Sequence, residues 1–526
     1  MDLLTKPKLH LVLKLLVIIA LAPSCSRYKK NNSHKDVPNA SIAQGAELAK
    51  KYCQSCHLFP EPSLANADSW ERGILPNMGP RLGIFKFQWD SYPSSRSDKN
   101  VPRDFYPSKP LLTDSEWQDI INYYTATSPD SLPLPKREIP IEVRGDLFTV
   151  SQAPVSKLSP ATCYIKVDTT THPHTILQCD VRTKKVLRFD GGLHLVDSVD
   201  VESPVVDIDF KDHLMTLCNI GVLNPNNGRF GNLRSVVTDA SGKMRVDSSF
   251  NIDSLQRPVG SIKVDLNGDG LDDYLVCEFG YITGALSWYE NLGNNKFRRH
   301  VLRAVSGAIK AYVKDYNNDG LPDLFVLFAQ GEEGIFLFTN KGKGQFEEKE
   351  ILRFPPSYGS SYFEMDDFNK DGFPDILYTC GDNADFSPVL KPYHGVYIFI
   401  NDGKYNFTQK FFFPINGCYK AVARDFDGDG DLDIATISFF ADFENQPEEG
   451  FVYLENQGGL TFKPYSLPQA TVGRWLTMDV GDMDGDGKQS ILLGNFSITP
   501  TNGKSKINFK EGPSYLVLKN VNTRSK

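Results

Sequence analysis

The chain lacks an apolar run long enough to cross a bilayer as a helix. Its N-terminal stretch at residues 15–22 (LLVIIALA) has eight residues, where a spanning helix needs ~20. It also lacks an excess of positive charge. Fifty-seven Lys and Arg stand against 65 Asp and Glu, a net charge of −8, which argues against a nucleic-acid backbone as partner. Part of that negative charge is gathered in compact Asp clusters, which points to cations instead. Cysteine is sparse, with nine residues in all. Six of them, Cys163, Cys179, Cys218, Cys277, Cys380 and Cys418, follow no disulfide framework and read as buried small hydrophobes. No glycine-rich dinucleotide fingerprint is present. His172, His174, His194, His213, His300 and His394 have no ligand spacing.

What is present favours β-structure. Aromatics make up 12% of the chain and glycine occurs 41 times, a turn-rich composition. A length of 526 residues exceeds what one core usually holds, so two or more domains are expected. Lys6, Lys8 and Lys14 form a basic stretch ahead of the short apolar run, a pattern that fits a secretory signal. The run ends in Leu21-Ala22-Pro23-Ser24-Cys25, which resembles a relaxed bacterial lipobox. The resemblance implies cleavage before Cys25 and a lipid on that residue. The protein is then exported and anchored to the bacterial cell envelope, at the outer membrane on its periplasmic or surface face. Cleavage near Ser24, leaving a free periplasmic protein, is the other reading. Residues 1–25 are thus signal and lipobox, and the polar, aperiodic residues 26–40 read as a flexible tether.

A domain is expected over residues 41–130. Cys53-Gln54-Ser55-Cys56-His57 is C-x-x-C-H, a spacing that lets two thiols reach the vinyl groups of one haem while the imidazole faces the iron. A zinc site would need a second ligand pair, a thioredoxin-like site a βαβ context, and a plain disulfide would leave the histidine unexplained. Residues 43–52 read as a helix entering the motif. Thr113 and Glu116 form a capping box ahead of an apolar face of Trp117, Ile120, Ile121 and Tyr124. This arrangement resembles the class I c-type cytochromes, and implies a small all-α domain with one covalent haem c. Met78, in a proline-flanked loop, is the implied sixth ligand; a water ligand, with Met78 against the haem edge, is the alternative.

A proline-rich linker, residues 128–135, leads to repeats that fill residues 139–526. Five loops share one pattern: Asp265, Asn267, Asp269, Asp273; Asp315, Asn317, Asp319, Asp323; Asp367, Asn369, Asp371, Asp375; Asp425, Asp427, Asp429, Asp433; and Asp482, Asp484, Asp486, where Ser490 replaces the closing acid. Alternate side chains in such a loop converge, Gly permits the sharp turn, and the oxygen cage suits Ca²⁺. A metal-free hairpin built on Asx-turns is the alternative. Each loop precedes an apolar strand, and an Asn six residues before a Phe recurs at Asn291/Phe297, Asn340/Phe346, Asn401/Phe407 and Asn456/Phe462. Repeats of 50 to 60 residues with β character suggest propeller blades. The pattern resembles the FG-GAP/VCBS repeats of integrin-α-like propellers. The fold class expected is therefore a small all-α cytochrome c domain followed by an all-β, seven-bladed propeller, with four to five calcium ions. The segment 139–150 is expected to supply the missing fourth strand of the last blade.

His and Met ligation would leave the iron no vacant position, which favours electron transfer. The expected function is that of a haem-c electron-transfer lipoprotein whose propeller binds a redox partner or glycan. No catalytic residue is assigned. Two other classes stay open: an oxidoreductase with its substrate site on the propeller, and a surface adhesion protein with an auxiliary cytochrome.

Overall fold

The computed structural model describes residues 28–156, 158–211, 214–239, 242–384, 386–501, 504–505 and 507–520. The signal segment, Cys25 and His213 lie outside them. Seven antiparallel blades follow one another, with first strands at Thr162–Asp168, Val205–Lys211, Pro258–Val264, Ala308–Lys314, Ser360–Asp366, Cys418–Arg424 and Trp475–Gly481. In each of the first six, sequence order is spatial order from axis to rim. The first strands neighbour one another around the axis, and Trp475–Gly481 meets Thr162–Asp168 to close the ring.

Strand composition follows radial position. The second strand of blade four, Asp323–Phe328 (DLFVLF), is buried at every residue, because flanking blades cover both of its faces. The rim strand of that blade, Phe346–Arg353 (FEEKEILR), is exposed or half-buried throughout. Its charges guard the free edge against pairing with another chain. The recurring Phe residues sit between blades. Phe297 of blade three lies 5.8 Å from Phe250 of blade two, and Phe462 of blade six 4.7 Å from Phe411 of blade five.

The last blade is completed from the front of the repeat region. Phe148–Gln152 pairs antiparallel with Tyr515–Asn520, with Val150 opposite Leu518. Only the end of segment 139–150 does this; Glu142–Val143 instead adds a short parallel strand to the rim of blade six. The stretch before residue 257, which carries none of the Asp-rich loops, forms blades one and two.

The expectation of a small all-α domain is corrected by the structure. The molecule is nearly all β, and among the described residues only two helices exceed a few residues. These are Asn39–Cys53, named α1, and, after the short α2 (Ala67–Ser69) and α3 (Leu75–Met78), Asp114–Thr127, named α4. Between α3 and α4 the chain makes one 3₁₀ turn, a two-residue β-ribbon of Lys86–Phe87 with Asp90–Ser91, and irregular backbone. The cause lies in the sequence. Pro80, Pro93, Pro102, Pro107 and Pro110 punctuate this stretch, each removing a donor and disfavouring helix in the residue before it.

The two helices pack closely where a Cβ on Gly45 would fall 1.9 Å from the Asp119 carbonyl oxygen. The capping box is present: the Glu116 amide donates to Thr113 Oγ1 and the Thr113 amide to Glu116 Oε2, at 3.3 and 2.8 Å. Within the stretch read as a tether, Asn31 is held to the end of α4. Its amide donates to the Ala126 carbonyl at 2.9 Å and its side chain to Thr125 and Ser128.

Candidate functional site

Connections between first and second strands lie at one end of a propeller, and those between second and third strands at the other. The Asp-rich loops are of the first kind. The N-terminal segment rests on the opposite end. Tyr393, between the second and third strands of blade five, donates its hydroxyl to the Leu64 carbonyl at 2.8 Å. Asn227, in the matching place of blade two, donates to Asp98 Oδ2 at 3.0 Å. Gly73 packs so closely on the Phe386 carbonyl that a Cβ would fall 1.9 Å from the oxygen.

The C-x-x-C-H motif stands at the end of α1. Cys53 is its last residue, half-buried, and Cys56 is exposed on the turn that follows. The turn is fixed by the Ser55 hydroxyl, which donates to the Tyr52 carbonyl at 2.7 Å. Burial pushes the Cys53 thiol up to about 11, with the neighbouring Tyr124 hydroxyl opposing the shift. His57 is held below its usual range, chiefly by burial, with the positive charges of Arg353 and Arg81 adding to the effect. Its ring Nδ1 lies 2.9 Å from the Leu58 carbonyl, which leaves Nε2 for a ligand. Met78 ends α3 rather than standing in an open loop. It packs, with Cys53, Tyr52 and Phe59, against a core of Trp70, Trp117 and Tyr124. The structure thus brings Cys53 and Met78 to one apolar cluster. The donor set of two thiols, an imidazole and a thioether fits a covalently held haem.

The five Asp-rich loops share one geometry. The first aspartate accepts the glycine amide through Oδ2, at 2.8 Å for Gly270, Gly320 and Gly372, 3.0 Å for Gly430 and 2.9 Å for Gly487. Those glycines have φ between +83° and +96°, a left-handed turn that other residues adopt only with strain. In the fourth loop, carboxylate oxygens of Asp425, Asp427 and Asp433 lie within 4.8 Å of one another. This all-carboxylate set fits a hard cation such as Ca²⁺. In the first three loops the second position is an amide, and Asn267, Asn317 and Asn369 each donate to the third acid.

The closing acids have a second task that spacing did not reveal. Asp273, Asp323, Asp375 and Asp433 are buried at the start of the second strand. Each accepts two backbone amides: one from the loop residue after the first aspartate, the other from the recurring Asn. The Asn–Phe signal is therefore more than a hairpin turn; it ties the third strand to the loop. Burial raises all four carboxyls, Asp433 to about 7, a cost that a bound cation would offset. The fifth loop differs twice. Ser490 closes it, and Asp484 is held through both oxygens by Lys519 at 2.8 Å.

The six remaining cysteines are all free and buried. No helix of the described residues is long and apolar enough to cross a membrane.

The FG-GAP-like repeat family matches residues 265–326 and 315–378, which span the first three loops. A T-cell immunomodulatory protein homolog of Plasmodium falciparum (isolate 3D7) is 25% identical over 234 residues, 40% of this chain. The chain covers only 31% of that relative's length. Solved structures with a similar course of the chain include virginiamycin B lyase from Staphylococcus aureus, at 11% identity. That match covers 71% of this chain and 99% of the other, with a TM-score of 0.41. Sqt1 of Saccharomyces cerevisiae is 7% identical over 72% of this chain and all of its own, with a TM-score of 0.43. The chain carries FG-GAP-like repeats on a seven-bladed β-propeller.

Proposed function

We propose that the protein is an electron-transfer lipoprotein in which Cys53 and Cys56 hold one haem through thioethers. His57 would be its proximal ligand and Met78 its distal one. When bound, that group supplies reversible one-electron transfer. The observation that carries the reading is C-x-x-C-H on the turn ending α1, with its imidazole kept neutral by burial and Nε2 free to ligate. The exposed position of Cys56 leaves one edge of the site open to an acceptor. The propeller serves as a platform: it holds the N-terminal segment on one end and is cross-tied at the other by calcium in the first four Asp-rich loops. The platform would bind a redox partner, a surface protein or a glycan. Lipidation of Cys25 would keep the assembly at the cell envelope.

The test is acid-acetone extraction of the purified protein, followed by its pyridine haemochrome spectrum. Wild type should retain its colour, and Cys53→Ala with Cys56→Ala should lose it. A colourless wild type from cells competent in haem attachment would overturn the reading. The same oxidised protein, offered a panel of sugars, alcohols and aldehydes, should not reduce itself. One reproducible reducer would favour an oxidoreductase.

A further inference from the structure

We infer that the segment between α3 and α4 is a membrane-contact surface for anionic phospholipid, with Trp89 as its inserting side chain. Trp89 sits at the tip of the Lys86–Phe87/Asp90–Ser91 ribbon and is 93% exposed. The other four tryptophans, Trp70, Trp117, Trp288 and Trp475, are all buried. A whole indole ring held in water is costly unless something covers it. An amphipathic ring at the tip of a short ribbon suits the headgroup layer, where its apolar body and its N–H are both satisfied.

Charge selects the occupant. Residues 81–109 carry six basic side chains, Arg81, Lys86, Arg96, Lys99, Arg103 and Lys109, against Asp90, Asp98 and Asp104. All six bases are exposed, and none makes an ion pair with a described residue. Arg81 and Arg96 lie instead over the rings of Phe105 and Phe85, at 4.7 and 4.5 Å. One of the three acids, Asp98, is already taken by Asn100 and by Asn227 of the propeller. A local positive surface in a chain of net charge −8 is complementary to an anionic leaflet.

Chain length brings the membrane within reach. Asn31 is fixed to the end of α4, and the apolar run ends at Ala22. Eight residues separate the two, and the nine Cα–Cα steps between them span at most about 30 Å when fully extended. A chain held at a bilayer by a lipid on Cys25 therefore keeps the N-terminal segment close to the headgroups. The inference does not depend on haem attachment.

The experiment uses a chain beginning at Ser26, which keeps every described residue and removes the apolar run. It is mixed with vesicles of phosphatidylcholine alone or with phosphatidylglycerol added, and binding is read by co-flotation and by tryptophan emission. Binding to the anionic vesicles with a blue shift is expected, because only Trp89 starts in water. Trp89→Ser should weaken binding about tenfold and abolish the shift; Trp89→Phe should restore most of the binding. Raised salt should release the protein. The inference is overturned if wild type ignores anionic vesicles, binds neutral ones equally, or is unaffected by Trp89→Ser. Retention on immobilised polyglutamate without any vesicle binding would also overturn it, and would assign the surface to an acidic protein.

Discussion

His394 lies between the long connection of blade five and its third strand, 1% exposed. Its Nε2 has no hydrogen-bond partner among the described residues. Burial, and then the Lys391 ammonium, hold its pKa well below the usual value, so the ring is neutral in the fold. The unfolded chain takes up a proton near pH 6.5 that the folded chain refuses. Stability is therefore kept above that pH and lost as pH falls below it. Thermal melts should show the midpoint dropping from pH 7 towards acid, with His394→Leu flattening part of the fall. An unchanged slope in that variant would contradict the assignment. The recurring Asn makes a second residue-scale test. Asn456 donates through Nδ2 to the Leu432 carbonyl and accepts the Gly458 amide, both at 3.0 Å. Asn456→Ala leaves a half-buried carbonyl without its donor, a loss of about 1 kcal/mol that denaturant titration would register.

Among the elements, the chain just past the proline-rich linker is firmly clamped to the propeller. Arg137 donates through Nε to the Pro414 carbonyl at 2.9 Å and through a terminal nitrogen to Gln446 at 2.6 Å. It also pairs with the fully buried Glu449, whose two oxygens accept Asn416 Nδ2 at 3.2 and 3.0 Å. Removing one partner of a buried ion pair strands the other in a poor solvent. Arg137→Met should cost about 3 kcal/mol or more, and Arg137→Met with Glu449→Gln together should recover part of that. The same reasoning shows why this clamp was invisible beforehand. Arg137 and Glu449 are more than three hundred positions apart, and no local pattern links them. The Asp-rich loops were legible because their partners lie within a few residues of one another, as with Asp425 and Gly430.

At the scale of the molecule, ring closure acts on the whole propeller, and calcium in its Asp-rich loops would do the same. Phe148–Gln152 pairs with Tyr515–Asn520, so a chain stopped before Tyr515 loses the third strand of blade seven and the partner of its fourth. Such a chain should lack a single cooperative melt. Calcium in the first four loops would stabilise the folded state by mass action, about 2.7 kcal/mol per site at a hundredfold excess over its dissociation constant. Chelation should therefore lower the melting midpoint of wild type. Elemental analysis should find four ions, since Lys519 already occupies Asp484 in the fifth loop. Fewer than three would count against the calcium assignment.

Repeat period, blade number, the shared end from which the Asp-rich loops project and the presence of C-x-x-C-H were all set by the sequence alone. Each rests on spacing within some sixty residues, where backbone geometry translates directly into position. The tertiary structure decided the rest. It replaced the expected all-α domain with two helices and an irregular, proline-broken stretch. It turned the closing aspartates into tethers for the third strands, and moved Glu142–Val143 to the rim of blade six. It also set the N-terminal segment that carries C-x-x-C-H on the propeller end opposite the Asp-rich loops. These outcomes depend on which distant surfaces exclude water from one another, and that competition is settled by packing across the whole ring, not by residues near in sequence.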